Sequence, residues 1–134
     1  MKACTILSMV LVVALAVGCK PSSETASAKE DPSAFTPLTG RWVRPDGGYI
    51  LMVNRVETDG KVTASYFNPN SIRVSRAQAS VVDGVLKLFV ELTDEGYPGC
   101  TYKLTYDKAN NQLAGVYFQT AMQQSYDIVF ERAP

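Results

Sequence analysis

The sequence predicts an all-β domain: a single up-and-down antiparallel β-barrel of eight strands. Three observations carry this prediction. Beyond Leu38, short runs rich in Val, Ile, Tyr, Phe and Thr alternate with separators built from Gly, Asp, Asn and Pro. No stretch there shows the 3.6-residue apolar period of an amphipathic helix. Asp59-Gly60 and Asp83-Gly84 each stand between extended runs, the signal of a two-residue type I′ hairpin. An open eight-stranded sheet would leave two long edges, and closing it into a barrel removes both.

Residues 1–18, MKACTILSMVLVVALAVG, place one Lys ahead of an apolar run and then small residues. That is the layout of an export signal peptide. The competing reading, a permanent anchor helix, meets a run that is short and poorly flanked for a membrane span. The leader ends in LAVGC, which resembles the bacterial lipobox. The resemblance implies that Cys19 becomes the lipidated first residue of the mature chain, with its acyl chains in the membrane. Lys20 stands where an Asp would suggest inner-membrane retention. The implied address is therefore the cell envelope, lipid-anchored, at the outer membrane facing the periplasm. The stretch after Cys19, KPSSETASAKEDPSAFTP, is too poor in apolar surface to fold by itself. Residues 19–37 read as a flexible tether and 38–134 as the barrel domain.

The eight runs are 39–45, 48–58, 61–68, 72–82, 85–93, 100–107, 112–120 and 124–132. With Asp83-Gly84 as the turn, Val82 faces Val85, and the pairs Ser80–Lys87, Gln78–Phe89 and Arg76–Glu91 follow on one side. Val81–Leu86, Ala79–Leu88 and Ala77–Val90 make an apolar opposite side, as a barrel wall requires. Arg76 and Glu91 are placed to form an exposed cross-strand ion pair. The Asp59-Gly60 turn similarly predicts Thr58–Lys61, Asn54–Ser65 and Val53–Tyr66. Leu51, Val53, Val62, Ala64 and Tyr66 then face inward, although Arg55 and Glu57 share that parity. In the last strands the inward parity carries Tyr102, Leu104, Tyr106, Leu113, Gly115, Tyr117, Tyr126, Ile128 and Phe130.

The only tryptophan, Trp42, lies in Leu38-Thr39-Gly40-Arg41-Trp42 at the start of the first strand. In a closed barrel that strand neighbours the last one. Arg132 can then point inward beside Trp42, its guanidinium stacked on the indole. Here the chain resembles the calycin group, the lipocalin-like barrels, in its Gly-x-Trp opening (Gly40-Arg41-Trp42) and in Arg132. The resemblance implies a closed barrel with Trp42 and Arg132 as its closing structural pair. It also implies a ligand entrance at the end away from the tryptophan. The chain is shorter than a typical lipocalin and lacks the C-terminal helix. A similarity to small bacterial lipoproteins of unassigned function supplies no mechanism.

Counting along the strands puts Tyr49, Tyr66, Tyr102, Tyr117 and Tyr126 near that far end, all on the inward parity. Tyr combines a flat apolar face with one polar tip, suited to a small apolar or aromatic ligand. Ala64, Ala77, Ala79 and Gly115 leave space on the inner wall. Two alternatives stand beside a ligand pocket. Side chains alone can fill an eight-stranded barrel. The loops 94–99 and 120–124 can instead form a rim that binds another protein, as an inhibitor or adaptor.

Composition excludes much else. The chain carries 13 basic and 13 acidic residues. Loss of Lys2 with the leader leaves one acidic residue in excess, with no basic stripe for nucleic acid. There is no histidine, so no imidazole base, triad or His metal ligand. The sequence gives no catalytic residue, metal ligand or cofactor motif. Asp94 and Glu95 read as solvated loop charges beside Gly96. With Cys4 in the leader and Cys19 lipidated, Cys100 stands alone, either buried or open to pairing between molecules.

Overall fold

The structure, a computed structural model, describes residues 32–134. The leader, Cys19 and the tether up to residue 31 lie outside the described residues. Nine strands form one antiparallel sheet: β1 (Gly40–Val43), β2 (Ile50–Val56), β3 (Val62–Asn68), β4 (Asn70–Ile72), β5 (Val74–Val82), β6 (Val85–Asp94), β7 (Tyr97–Asp107), β8 (Gln112–Gln119) and β9 (Gln124–Arg132). Their order, β4-β3-β2-β1-β9-β8-β7-β6-β5, joins the first strand to the last. Among the described residues there is no α-helix, only a 3-10 helix over Pro32–Leu38.

The strand count is nine, not eight, and the reason lies at Arg73. The run expected as one strand over 72–82 splits there. Asn70–Ile72 folds straight back on β3 around Pro69, pairing Asn68 with Asn70 and Tyr66 with Ile72. The Arg73 carbonyl then accepts from Thr93 N (2.9 Å), and its N–H donates to Asp94 Oδ2 (3.2 Å). The chain is thereby drawn onto β6, and β5 leaves β3. Closure is consequently incomplete: a seam runs between β3 and β5. It is crossed by a bridge between Lys61 and Gln78, by Ala79 N donating to Gly60 O (2.7 Å) and by Gln78 Nε2 donating to Asp59 O (3.0 Å).

The two Asp-Gly turns behave differently. Around Asp83-Gly84 the register is Val82↔Val85, Val81↔Leu86, Ser80↔Lys87 and so on to Arg76↔Glu91. Asp83 (φ 51°) and Gly84 (φ 76°) both take the left-handed conformation that a type I′ turn demands. Arg76 and Glu91 face one another without an ion pair. Arg76 lies over the Phe89 ring at 4.7 Å, and Glu91 accepts from Ser75 Oγ at 2.7 Å.

At Asp59-Gly60 only the glycine is left-handed, and Glu57 N donates to Lys61 O across a three-residue loop. The pairing is Val56↔Val62, Arg55↔Thr63, Val53↔Ala64 and Leu51↔Tyr66, which replaces the register expected from the sequence. A bulge at Asn54 lies between Val53 and Arg55. It turns Val53 and Val56 both into the core and sends Arg55 out to solvent. The conflict between apolar and charged residues on one parity is resolved by this extra residue.

The folded unit also starts earlier than Leu38. Phe35 is 1% exposed and Leu38 is fully buried, both in one core with Trp42, Tyr102 and Phe130. Phe35 sits among Ser, Thr and Pro, so local composition hides it, yet the 3-10 turn carries it over the base of the barrel. Gly115 does not leave space. A Cβ built there would lie 1.9 Å from the Lys103 carbonyl oxygen, so the glycine lets β7 and β8 approach closely.

Candidate functional site

The first and last strands meet at one end of the barrel. Trp42, fully buried, donates from Nε1 to Leu38 O at 2.9 Å. Arg132 pairs with it in register, and its guanidinium carbon lies 4.1 Å from the indole centroid. That guanidinium donates from Nη1 to Thr39 O (2.8 Å), from Nε to Asn111 Oδ1 (3.0 Å) and from Nη2 to Pro37 O. The glycine of the Gly-x-Trp stretch has a steric reason. A Cβ on Gly40 would come 2.8 Å from Arg132 Nη1, and the backbone there has φ 122°. At this end Phe35 and Leu38 of the 3-10 helix are buried in the core with Trp42.

The opposite end is open. A cavity of about 440 Å³ lies there, lined by Tyr49, Tyr66, Tyr102, Tyr117 and Tyr126 together with Arg44, Gly96, Tyr97 and Gln119. All five tyrosines singled out by parity thus meet in one site. Tyr102, Tyr117 and Tyr126 are cross-strand neighbours on β7, β8 and β9. Their rings stack in sequence at 4.6 Å and 6.3 Å between centroids. Tyr49 stacks on Tyr66 at 6.4 Å, and Tyr97 stands edge-on to Tyr66, also at 6.4 Å. Tyr66 and Tyr102 are buried in the floor, whereas Tyr126, 41% exposed, stands at the mouth.

Parity counting from the tyrosines missed Arg44 and Tyr97. Arg44 follows Trp42 by two residues, so its inward parity was visible in the sequence. A charge on that parity reads as a strand end until its partners are known. Only 7% of Arg44 is exposed. Its Nε and Nη2 donate to Asp46 Oδ1 (3.0 Å) and Oδ2 (2.6 Å), a bidentate pair within the 44–49 turn. Its Nη1 donates to Tyr102 Oη at 2.9 Å, and Tyr102 Oη in turn shares a hydrogen bond with Tyr66 Oη at 2.8 Å. The guanidinium lies over Tyr49 at 4.4 Å, with Tyr117 at 5.8 Å and Tyr102 at 6.0 Å. Tyr97, in the expected 94–99 loop, is instead the first residue of β7. Only Glu95 and Gly96 separate the strands there, with Asp94 paired to Tyr97. Its hydroxyl accepts from Asn68 Nδ2.

The electrostatics follow from burial. Burial pushes the Tyr66 phenol well above its ordinary range and raises Tyr102 too, although hydrogen bonds with Tyr66 and Arg44 oppose the shift at Tyr102. Burial also raises Tyr117, reinforced by Cys100, a fully buried free thiol. For Arg44 burial works against the charge. The Asp46 hydrogen bond and Tyr102 outweigh it and hold the guanidinium pKa above its usual value. The same hydrogen bond holds the Asp46 carboxyl below the usual carboxylate range. Among the described residues no group of three or more His, Cys, Asp or Glu side chains could hold a metal ion. The arrangement offers flat aromatic faces, several hydroxyls and one buried cation. Asp94 and Glu95 lie in the β6–β7 hairpin, with Asp94 accepting from the Arg73 and Glu95 N–H groups.

No family model matches this chain, and no curated protein or solved structure shows significant similarity to it.

Proposed function

We propose that the protein is a lipid-anchored envelope protein whose lipocalin-like barrel binds a small apolar or aromatic molecule at its open end. The observation that carries this reading is the tyrosine-lined cavity of about 440 Å³. That volume falls within the range of about 300–1,000 Å³ typical of small-molecule sites. The lining suits a ring-bearing ligand: planar faces to stack on, with hydroxyls and one guanidinium to fix orientation. The anchor at Cys19 and the export signal rest on the lipobox-like LAVGC. Such an anchor holds the Trp42 end toward the membrane and leaves the cavity facing the periplasm.

A rim that binds a protein is the second reading. Met122, 59% exposed in the turn between β8 and β9, favours it, although Gln119, at the end of β8 just before that turn, lines the cavity. Native mass spectrometry of the protein isolated from its own host tests the first reading. A bound small molecule, lost in Tyr117→Ala while the barrel stays folded, is the expected result. Consistent absence of any adduct under gentle ionisation would remove the case for a pocket.

A further inference from the structure

We infer that the ligand is an anion, an aromatic or apolar body carrying a carboxylate-type group, and that Asp46 competes with it for Arg44. The inference rests on the pocket reading and comes from counting donors. Among the described residues the cavity is lined by one cation and by no carboxylate. An arginine has five N–H donors. Arg44 spends three among the described residues, two on Asp46 and one on Tyr102. Two N–H groups are left over on a side chain that is almost wholly buried.

The phenols add a third spare donor. Tyr66 and Tyr102 share one hydrogen bond between their hydroxyls. Whichever of them donates, the other keeps an O–H with no acceptor assigned. Among the described residues the Arg44–Tyr102–Tyr66 chain therefore leaves three donors unspent beside a ring-lined cavity. A donor that a bound ligand shuts off from water without offering an acceptor is unfavourable. A neutral hydrocarbon ring supplies no acceptor for such donors. An acceptor-only anion supplies acceptors, and a planar one matches the fork of a guanidinium.

Asp46 supplies the counter-charge of Arg44. Its side chain is more than half exposed and lies outside the cavity lining. It holds the outer side of Arg44 in the two-point geometry a ligand carboxylate adopts. Its charge lowers the net attraction of the site for a second anion, so it sets the affinity without touching the ligand's apolar body.

Isothermal titration of the full chain with 1-naphthoate and with its uncharged isostere 1-naphthamide tests this, with blanks for any detergent present. Naphthoate is expected to bind at least about tenfold tighter than naphthamide, the size of a hydrogen-bonded charge contact. Asp46→Asn, at an exposed position, is expected to tighten naphthoate several-fold and leave naphthamide unchanged. Arg44→Gln is expected to abolish the difference between the two. Equal binding of the two probes to the wild type, or weaker naphthoate binding by Asp46→Asn, overturns the anion inference and leaves the pocket standing. Binding of neither probe overturns the pocket reading as well.

Discussion

Arg132 caps Trp42: the guanidinium carbon lies 4.1 Å from the indole centroid, and the two residues are register partners where β9 meets β1. The same guanidinium ties down Pro37 O, Thr39 O and Asn111 Oδ1. It thus links the incoming chain, the first strand, the last strand and the β7–β8 turn. Trp42→Ala empties the centre of this arrangement. The expected cost is about 3 kcal/mol or more, as for other large core truncations. Urea unfolding followed by far-ultraviolet circular dichroism measures it, and a loss below about 0.5 kcal/mol would be incompatible with a buried plug. Arg132→Lys keeps the charge and loses the fork, so it should restore little of what Arg132→Ala removes.

Gly115 sits where β7 and β8 press together. An added methyl would meet the Lys103 carbonyl oxygen at 1.9 Å and the Leu104 Cα at 2.9 Å. Backbone on a central strand yields less than a side-chain tip. Gly115→Ala is therefore expected to cost about 2 kcal/mol or more by overpacking, despite the better intrinsic strand propensity of Ala. Thermal melting checks this. An unchanged melting temperature would mean that the two strands part without strain.

Gly60 holds the seam. Its Cβ would collide with Ala79 O at 2.3 Å, and its backbone is left-handed at φ 85°. Gly60→Ala should both strain the β2–β3 turn and push it off β5. Amide exchange at Ala79, whose N–H donates to Gly60 O, is the direct readout. Its protection should drop at least about tenfold while amides between β7 and β8 change little. Equal loss everywhere would indicate global destabilisation instead.

The sequence showed the local rules and hid those set by distant contacts. Asp83-Gly84 determined seven consecutive pairs correctly because a two-residue turn and strict alternation act within one hairpin. Asp59-Gly60 has the same two letters. Its register is nonetheless decided by the docking of Gly60 on Ala79 and by the bulge at Asn54, neither of which is local. Arg73 breaks a strand for partners on β6, some twenty residues away. Phe35 was lost in the composition of its neighbours. At the open end the five tyrosines were legible because parity alone places them. Arg44 was not, since its burial depends on Asp46, Tyr102 and Tyr49 closing around it.

The buried phenols make an alkaline prediction. Burial raises Tyr66, Tyr102 and Tyr117, so the folded state keeps protons that the unfolded chain gives up near pH 10. Their contribution to stability is complete below about pH 10 and is lost as pH rises beyond it. Absorbance at 295 nm should show part of the tyrosinate signal appearing only together with loss of the near-ultraviolet dichroism. Tyr66→Phe removes one such group, and its stability should fall less steeply above about pH 10 than the wild type's. Complete tyrosinate formation in a still-folded protein would contradict the buried floor.

At the mouth, stability and binding should separate. Tyr126 is 41% exposed, stacks on Tyr117 at 6.3 Å and has its hydroxyl bonded to Gln124 Oε1 at 2.6 Å. It contributes a face to the cavity without filling the core. Tyr126→Ala is therefore expected to cost about 1 kcal/mol or less in unfolding free energy, no more than the centre of the distribution for point substitutions in general. The same change removes one aromatic wall from a bound ring, a contact worth about 0.5–1.5 kcal/mol beyond its buried area. Affinity for 1-naphthoate should accordingly fall by roughly threefold to tenfold. Trp42→Ala runs the other way, with a large stability loss and no direct effect on a site at the opposite end. Measuring both variants by the same denaturant titration and the same calorimetry separates a binding mouth from a barrel merely plugged at two ends. If Tyr126→Ala left 1-naphthoate affinity unchanged, that tyrosine would belong to the surface alone.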